Sequence, residues 1–189
     1  MKHNEDTRVK LPAILHLIRL GYTYLSLKDT TWDEPTNIFP NLFKSAMLRI
    51  NPELEDDAIY RLFQDVSLAL ENEDLGQAFY DMLMTKSGTK LIDWDDFDNN
   101  TFHVVTELTY KNGDEEFRPD IILLINGMPL VFIEVKKPNN PDGVLAERKR
   151  INHRFANRKF RKFVNLTQIM MFSDLIKKTG AYFSTFSYN

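Results

Sequence analysis

The spacing of apolar residues changes character near residue 90. Before it, Leu11, Ile14, Leu15 and Ile18 recur at helical intervals, so Val9 to Leu20 predicts a helix with one apolar face, closed by Gly21 as its C-cap. Tyr22 to Leu27 alternates weakly and predicts a short strand. Thr30 to Pro40, punctuated by Pro and Asn, predicts a loop. Asn41 to Arg49 predicts a second helix. Pro52 opens a third, running to about Leu70 with Ile59, Leu62, Phe63, Val66 and Leu70 on one face. A further helix spans about Leu75 to Lys86, and KSGTK breaks the pattern.

Beyond that break the period shortens to two. Phe102 to Tyr110 predicts a strand, KNGDEE a turn, and Phe117 to Ile125 a second strand. Asn126-Gly127, between two apolar runs, is a hairpin signal leading into a third strand, Leu130 to Lys136. A loop (PNNPDG) precedes a helix from about Val144 to Val164. Two β-like runs follow, Thr167 to Phe172 and Ala181 to Ser187. No internal repeat is present. The order predicts an α/β fold around a mixed β-sheet flanked by helices. Residues 1–100 would form a mainly helical part packing on a core of residues 101–189, in one domain. The apolar, aromatic FSTFSYN end suggests an edge cut from a longer polypeptide.

Composition narrows the class. The chain has 189 residues, is 43% hydrophobic and contains no cysteine, which excludes a disulfide scaffold, thiolate zinc and a cysteine nucleophile. No run approaches the roughly 18 apolar residues a membrane span needs, and no signal-peptide apolar region opens the chain. The expectation is a soluble cytoplasmic protein with no membrane partner. Net charge is −3, yet residues 1–100 hold 18 Asp/Glu against 10 Lys/Arg, a net of −8, whereas Lys136 to Lys162 holds ten Lys/Arg against two acids, a net of +8. A ligand meets this local field rather than the whole-chain average.

The hairpin carries charge where a buried strand should carry none: Asp120 in one arm, Glu134 and Lys136 in the other. Alternation puts Glu134 and Lys136 on one face, Ile133, Val135 and Lys137 on the other. Such groups pay a large desolvation cost unless something uses them. Two carboxylates suit Mg²⁺, which binds through one or two of them plus waters and a phosphate. The metal would lower the pKa of an attacking water and the lysine would add positive charge, giving metal-dependent phosphodiester hydrolysis. The bland alternative is an Asp that ends a strand and a surface ion pair on an edge strand. Register separates the two. In a strict two-residue turn Ile125 pairs with Met128, and Asp120 falls opposite Ile133, on the wrong face. A three-residue connection or one bulge puts Asp120 opposite Glu134, so the metal reading predicts an irregular hairpin.

Pro119-Asp120, followed after thirteen residues by Glu134-Val135-Lys136, resembles the PD-(D/E)xK motif of restriction-type nucleases. FRPDIILLINGMPLVFIEVKKP further resembles the nuclease segment of the restriction (R) subunit of type I restriction-modification enzymes. The resemblance implies a restriction-endonuclease-like core, metal ligation by Asp120, Glu134 and the Val135 carbonyl, and catalysis by Asp120, Glu134 and Lys136. It also implies a Mg²⁺ cofactor, ATP used only by a downstream translocase motor, and duplex DNA, methyltransferase and specificity subunits as partners. Two family features are missing. The first helix carries no Glu, Glu5 being the nearest, and Ile151 to Phe155 stands where a Gln-x-x-x-Tyr pattern is often found.

Arg150, Arg154, Arg158 and Arg161 recur at four, four and three residues, forming a cationic stripe on one predicted helix, with Ile151, Phe155 and Phe163 approximating an apolar face behind it. Such a stripe suits a phosphate backbone without reading sequence; a solvated face or a subunit surface is the alternative. No base-reading module is present, so cleavage should be non-specific, with target choice made by a partner. WDDFDNN lacks the Gly and terminal Glu of an EF-hand, and SGTK lacks the rest of a P-loop. Rival readings are a repair-type nuclease of the same motif and a non-catalytic docking module for the other subunits.

Overall fold

The computed structural model describes residues 9–135, 143–173 and 182–184. Its centre is a six-stranded mixed sheet. The strands are β1 (Thr23–Tyr24), β2 (Phe102–Thr106), β5 (Ile121–Ile125), β6 (Met128–Val135), β7 (Ile169–Ser173) and β8 (Tyr182–Ser184), neighbours in that order. β2, β5 and β6 are successively antiparallel, while β1 joins β2 and β7 joins β6 in parallel. Strands β3 (Tyr110–Asn112) and β4 (Glu115–Phe117) form a separate two-stranded ribbon.

Every residue of β6 is buried, as a central strand covered on both faces requires. Its odd-numbered face (Val131, Ile133, Val135) joins a core with α2 (Pro40–Ile50), α3 (Asp56–Ala69) and α4 (Gln77–Leu83) through Phe43, Met47, Ile59, Val66, Phe79 and Leu83. The other face carries Phe132, packed with Ile122, Leu124, Met170 and Phe172 of neighbouring strands. It is covered by Tyr110, Phe117, Ile151, Phe160 and Phe163, contributed by the ribbon and by α5 (Gly143–Phe155), α6 (Arg161–Leu166) and the turn between them. Helix α1 (Leu11–Arg19) turns Ala13, Ile14 and Leu17 toward the first core and leaves Leu11, Leu15 and Ile18 exposed. Among the described residues no helix is long and apolar enough to cross a membrane.

Several expected elements are shorter or broken. The helix expected over Leu75 to Lys86 spans only Gln77–Leu83, and the strand expected from Phe117 is split, Phe117 ending β4 and β5 starting at Ile121. The first strand is only two residues long. The strand expected over Phe102 to Tyr110 ends at Thr106, because Glu107 takes a left-handed backbone (φ 58°) and Tyr110 starts the ribbon. The long basic helix is two helices. α5 stops at Phe155; Asn157 then takes an extended backbone, and its side chain accepts the Lys159 N–H at 3.0 Å to start a 3₁₀ turn, which hands over to α6. This break drops Phe160 into the core (2% exposed). Of the last expected strand, β8 lies within the described residues.

Candidate active site at a bulged hairpin

The hairpin joining β5 and β6 is fixed from its tip. Asn126 and Gly127 both have positive φ (53° and 79°), and Ile125 pairs with Met128, so the connection is a two-residue turn of the type Asn-Gly favours. Asn126 is fully buried. Its Nδ2 donates to the Leu91 carbonyl (2.9 Å) and Asn100 Oδ1 (2.8 Å), while its Oδ1 accepts the Thr101 N–H (2.8 Å). The Gly127 carbonyl accepts from Phe39 N–H at 2.9 Å, and a Cβ at Gly127 would lie 2.7 Å from the Phe43 nitrogen. The tip therefore cannot slide.

With the turn held to two residues, the register error must be corrected along the strands. It is. Leu124 pairs with Pro129 but Leu123 pairs with Val131, leaving Leu130 as the extra residue of a bulge. The Leu130 carbonyl accepts instead from Gln168 N–H at 2.8 Å, at the start of β7. Past the bulge Ile121 pairs with Ile133, so Asp120 lies next in register to Glu134. The expected irregularity is present, in the form of a bulge rather than a longer loop. Glu134 is 5% exposed, on the same face of the strand as Phe132.

Asp120 sits at the mouth of this arrangement, half-buried. Its Oδ2 accepts the Val135 backbone N–H at 3.0 Å, which closes the end of the ladder and orients the carboxylate. Its Oδ1 lies 3.7 Å from Lys10 Nζ. That lysine, just ahead of α1, also donates to Glu107 Oε1 at 2.7 Å, and Glu107 approaches Arg118 at 3.8 Å. The Glu107 N–H donates to the Asp120 carbonyl at 3.3 Å. Lys10 and Glu107 were not anticipated from sequence. Their approach depends on the positive φ at Glu107 and on the packing of α1 beside β2, neither of which leaves a periodic signal. Lys136 and Lys137 lie outside the described residues.

Among the described residues no three His, Cys, Asp or Glu side chains gather into a metal-binding cluster. The donor set to be judged is thus Asp120, Glu134 and backbone oxygen. That set fits a hard, largely hydrated cation such as Mg²⁺, which needs only one or two carboxylates from protein, and does not fit a fully protein-caged ion.

The four arginines do not form one stripe. Arg150 is exposed on α5. Arg154 lies over the Phe117 ring, 4.2 Å from its centroid. Arg158 and Arg161, beyond the helix break, turn to the loop after α3. Arg161 Nη2 reaches Glu73 Oε1 at 2.6 Å and Arg158 Nη2 the same oxygen at 3.6 Å. Lys162 pairs with Glu71 at 2.8 Å, holding that carboxyl below its usual pKa through this hydrogen bond. Lys159 pairs with Asp114. Part of the basic segment thus answers the acidic first hundred residues within the same molecule.

Residues 2–183 match the family described as the type I restriction enzyme R protein N terminus. The chain belongs to this family. A Methanocaldococcus jannaschii protein whose name gives it as the MjaIXP type I restriction enzyme endonuclease subunit is 32% identical over 165 residues, covering 74% of this chain and 16% of the relative. The HindI type I restriction enzyme endonuclease subunit of Haemophilus influenzae is 29% identical over 121 residues, covering 53% of this chain and 11% of the relative. The chain therefore spans a small fraction of the length of the R-protein relatives it matches.

Proposed function

We propose that this R-protein N-terminal domain is a Mg²⁺-dependent endonuclease with a PD-(D/E)xK core, cleaving duplex DNA without sequence preference. The observation that carries the reading is the Leu130 bulge. It brings Asp120 into register with Glu134 although the turn is regular, and it leaves Glu134 buried in a strand otherwise made of apolar residues.

Asp120, Glu134 and the Val135 carbonyl would hold the ion. When bound, Mg²⁺ supplies a more acidic water and charge stabilisation at the phosphate. Asp120 is presented ready for this, since the Val135 N–H fixes one oxygen and turns the carboxylate as a unit. Val135, fully buried beside Glu134, keeps the strand end rigid. Lys136, next along the chain, would stabilise charge on the phosphate or orient the water. Arg150 would meet the DNA backbone from the exposed side of α5, and Arg154 from its ring-stacked position; Arg158 and Arg161 would contribute by exchanging Glu73 for phosphate. Such contacts hold DNA without reading it. The domain would act in a longer R subunit whose motor uses ATP, in complex with methyltransferase and specificity subunits that choose the target.

The test is nicking of supercoiled plasmid by the full-length subunit in its complex, with Mg²⁺ and ATP. Asp120→Ala, Glu134→Ala and Lys136→Ala should each lower cleavage at least about a hundredfold while leaving ATP hydrolysis intact, since removal of one group that stabilises the transition state typically costs that much. Equal cleavage by all three variants would refute the proposal.

A further inference from the structure

Lys10 is an unusual lysine. It precedes α1, its side chain is only 11% exposed, and its ammonium stands between two carboxylates, 2.7 Å from Glu107 Oε1 and 3.7 Å from Asp120 Oδ1. A buried ammonium is tolerated only when paired, and the chain provides the pairing at some cost. Glu107 holds φ at 58°, a conformation that strains a residue bearing a Cβ, and this kink ends β2 where Glu107 can reach Lys10. The Glu107 N–H meanwhile bonds the Asp120 carbonyl, so the same residue that holds the lysine is tied to the backbone of Asp120. The lysine is closer to Glu107 than to Asp120 by a full ångström.

From this geometry we infer that Lys10 is a resident counter-ion for Asp120, held slightly off it by Glu107, and that it shares the free Asp120 oxygen with an incoming divalent cation. The inference rests on the metal reading given above. Without the cation, the ammonium offsets the repulsion among Asp120, Glu107 and the nearby Glu134 and keeps Asp120 oriented. With a divalent ion on Asp120, two like charges face each other across one carboxylate, and Glu107 is what keeps the lysine from displacing the ion. Lys10 is thus a positioning residue that sets how tightly metal is held.

The two partners then have opposite effects, which a merely structural role would not give. Calorimetric titration of Mn²⁺ into the full chain, with thermal unfolding followed with and without the metal, provides the test. Lys10→Met should tighten Mn²⁺ binding about three- to tenfold, because a like charge is gone, and should lower the unfolding temperature of the metal-free protein more than that of the metal-saturated protein. Glu107→Gln should weaken Mn²⁺ binding by a similar factor, since Asp120 then takes a larger share of the lysine. Lys10→Arg should stay within about twofold of the parent, as the charge is kept. Unchanged or weakened binding in a folded Lys10→Met protein overturns the inference. If Lys10→Met fails to fold, tightened or unchanged binding in Glu107→Gln overturns it. Asp120→Asn separates the two levels: Mn²⁺ binding lost there, with no shift in the other variants, rejects the role of Lys10 alone. Binding untouched by Asp120→Asn rejects the metal reading and this inference together.

Discussion

Replacing Asn126 should damage this fold more than any surface substitution, and the size of the effect can be worked out from its contacts. Asn126→Ala removes two donated hydrogen bonds and an accepted one. The Leu91 carbonyl then loses its Asn126 partner in a buried setting, worth about 1–3 kcal/mol, and the two remaining bonds contribute about 0.5–1.5 kcal/mol each. Alanine at φ 53° adds about 1 kcal/mol of backbone strain. The total is about 3–7 kcal/mol, a large part of the roughly 5–15 kcal/mol that holds a domain together. Asn126→Gly keeps the turn and loses only the hydrogen bonds, so it should be about 1 kcal/mol more stable than Asn126→Ala. Urea unfolding of the chain followed by circular dichroism, with the three proteins compared at constant slope, measures both numbers. A loss below about 1 kcal/mol for Asn126→Ala would mean that these bonds do not fix the turn, and the account of the register would fall with it.

Two further outcomes follow from packing and burial. Phe163 meets Phe117, Phe132 and Tyr110 with ring centroids 5.2, 5.5 and 5.7 Å away, so Phe163→Ala should cost about 3–5 kcal/mol in the same urea assay; a cost under 1 kcal/mol would show that α6 is not needed to cover this face. His103 is half-buried in β2, and among the described residues its Nδ1 finds no hydrogen-bond partner. Burial holds its pKa below the ordinary value. The unfolded chain takes up this proton near pH 6.5 and the folded one resists it. Stability from this residue is therefore intact above about pH 6.5 and declines as the pH falls below it. His103→Phe should lose less stability between pH 7.5 and 5.0 than the parent, and an identical loss in both would contradict the assignment.

Much of the site's placement was legible because its constraints are local. Asn-Gly between apolar runs marked the hairpin, and period two assigned each side chain to a face. The conflict between a two-residue turn and two carboxylates on one face already required an irregularity. Leu130 satisfies that requirement, chosen by its position before β7, where Gln168 captures the displaced carbonyl. The helix break after Phe155 was hidden by arginines and phenylalanines that keep helical spacing across it. Asn157, a residue that readily caps a turn with its own side chain, was the one local sign. Lys10 and Glu107 were invisible for a different reason: they are 97 residues apart and meet through a left-handed kink. The arginine stripe failed as a stripe because the helix breaks between Arg154 and Arg158, and Glu73, far away in sequence, takes both Arg158 and Arg161.

The most direct measurement is a crystal structure of the full chain soaked in Mn²⁺, with anomalous scattering used to locate the ion. One peak is expected within about 2.0–2.4 Å of oxygens from both Asp120 and Glu134, the range for hard cations on carboxylates. Peaks only at other acidic positions, such as the Asp93 to Asp98 turn, with none between Asp120 and Glu134, would contradict it.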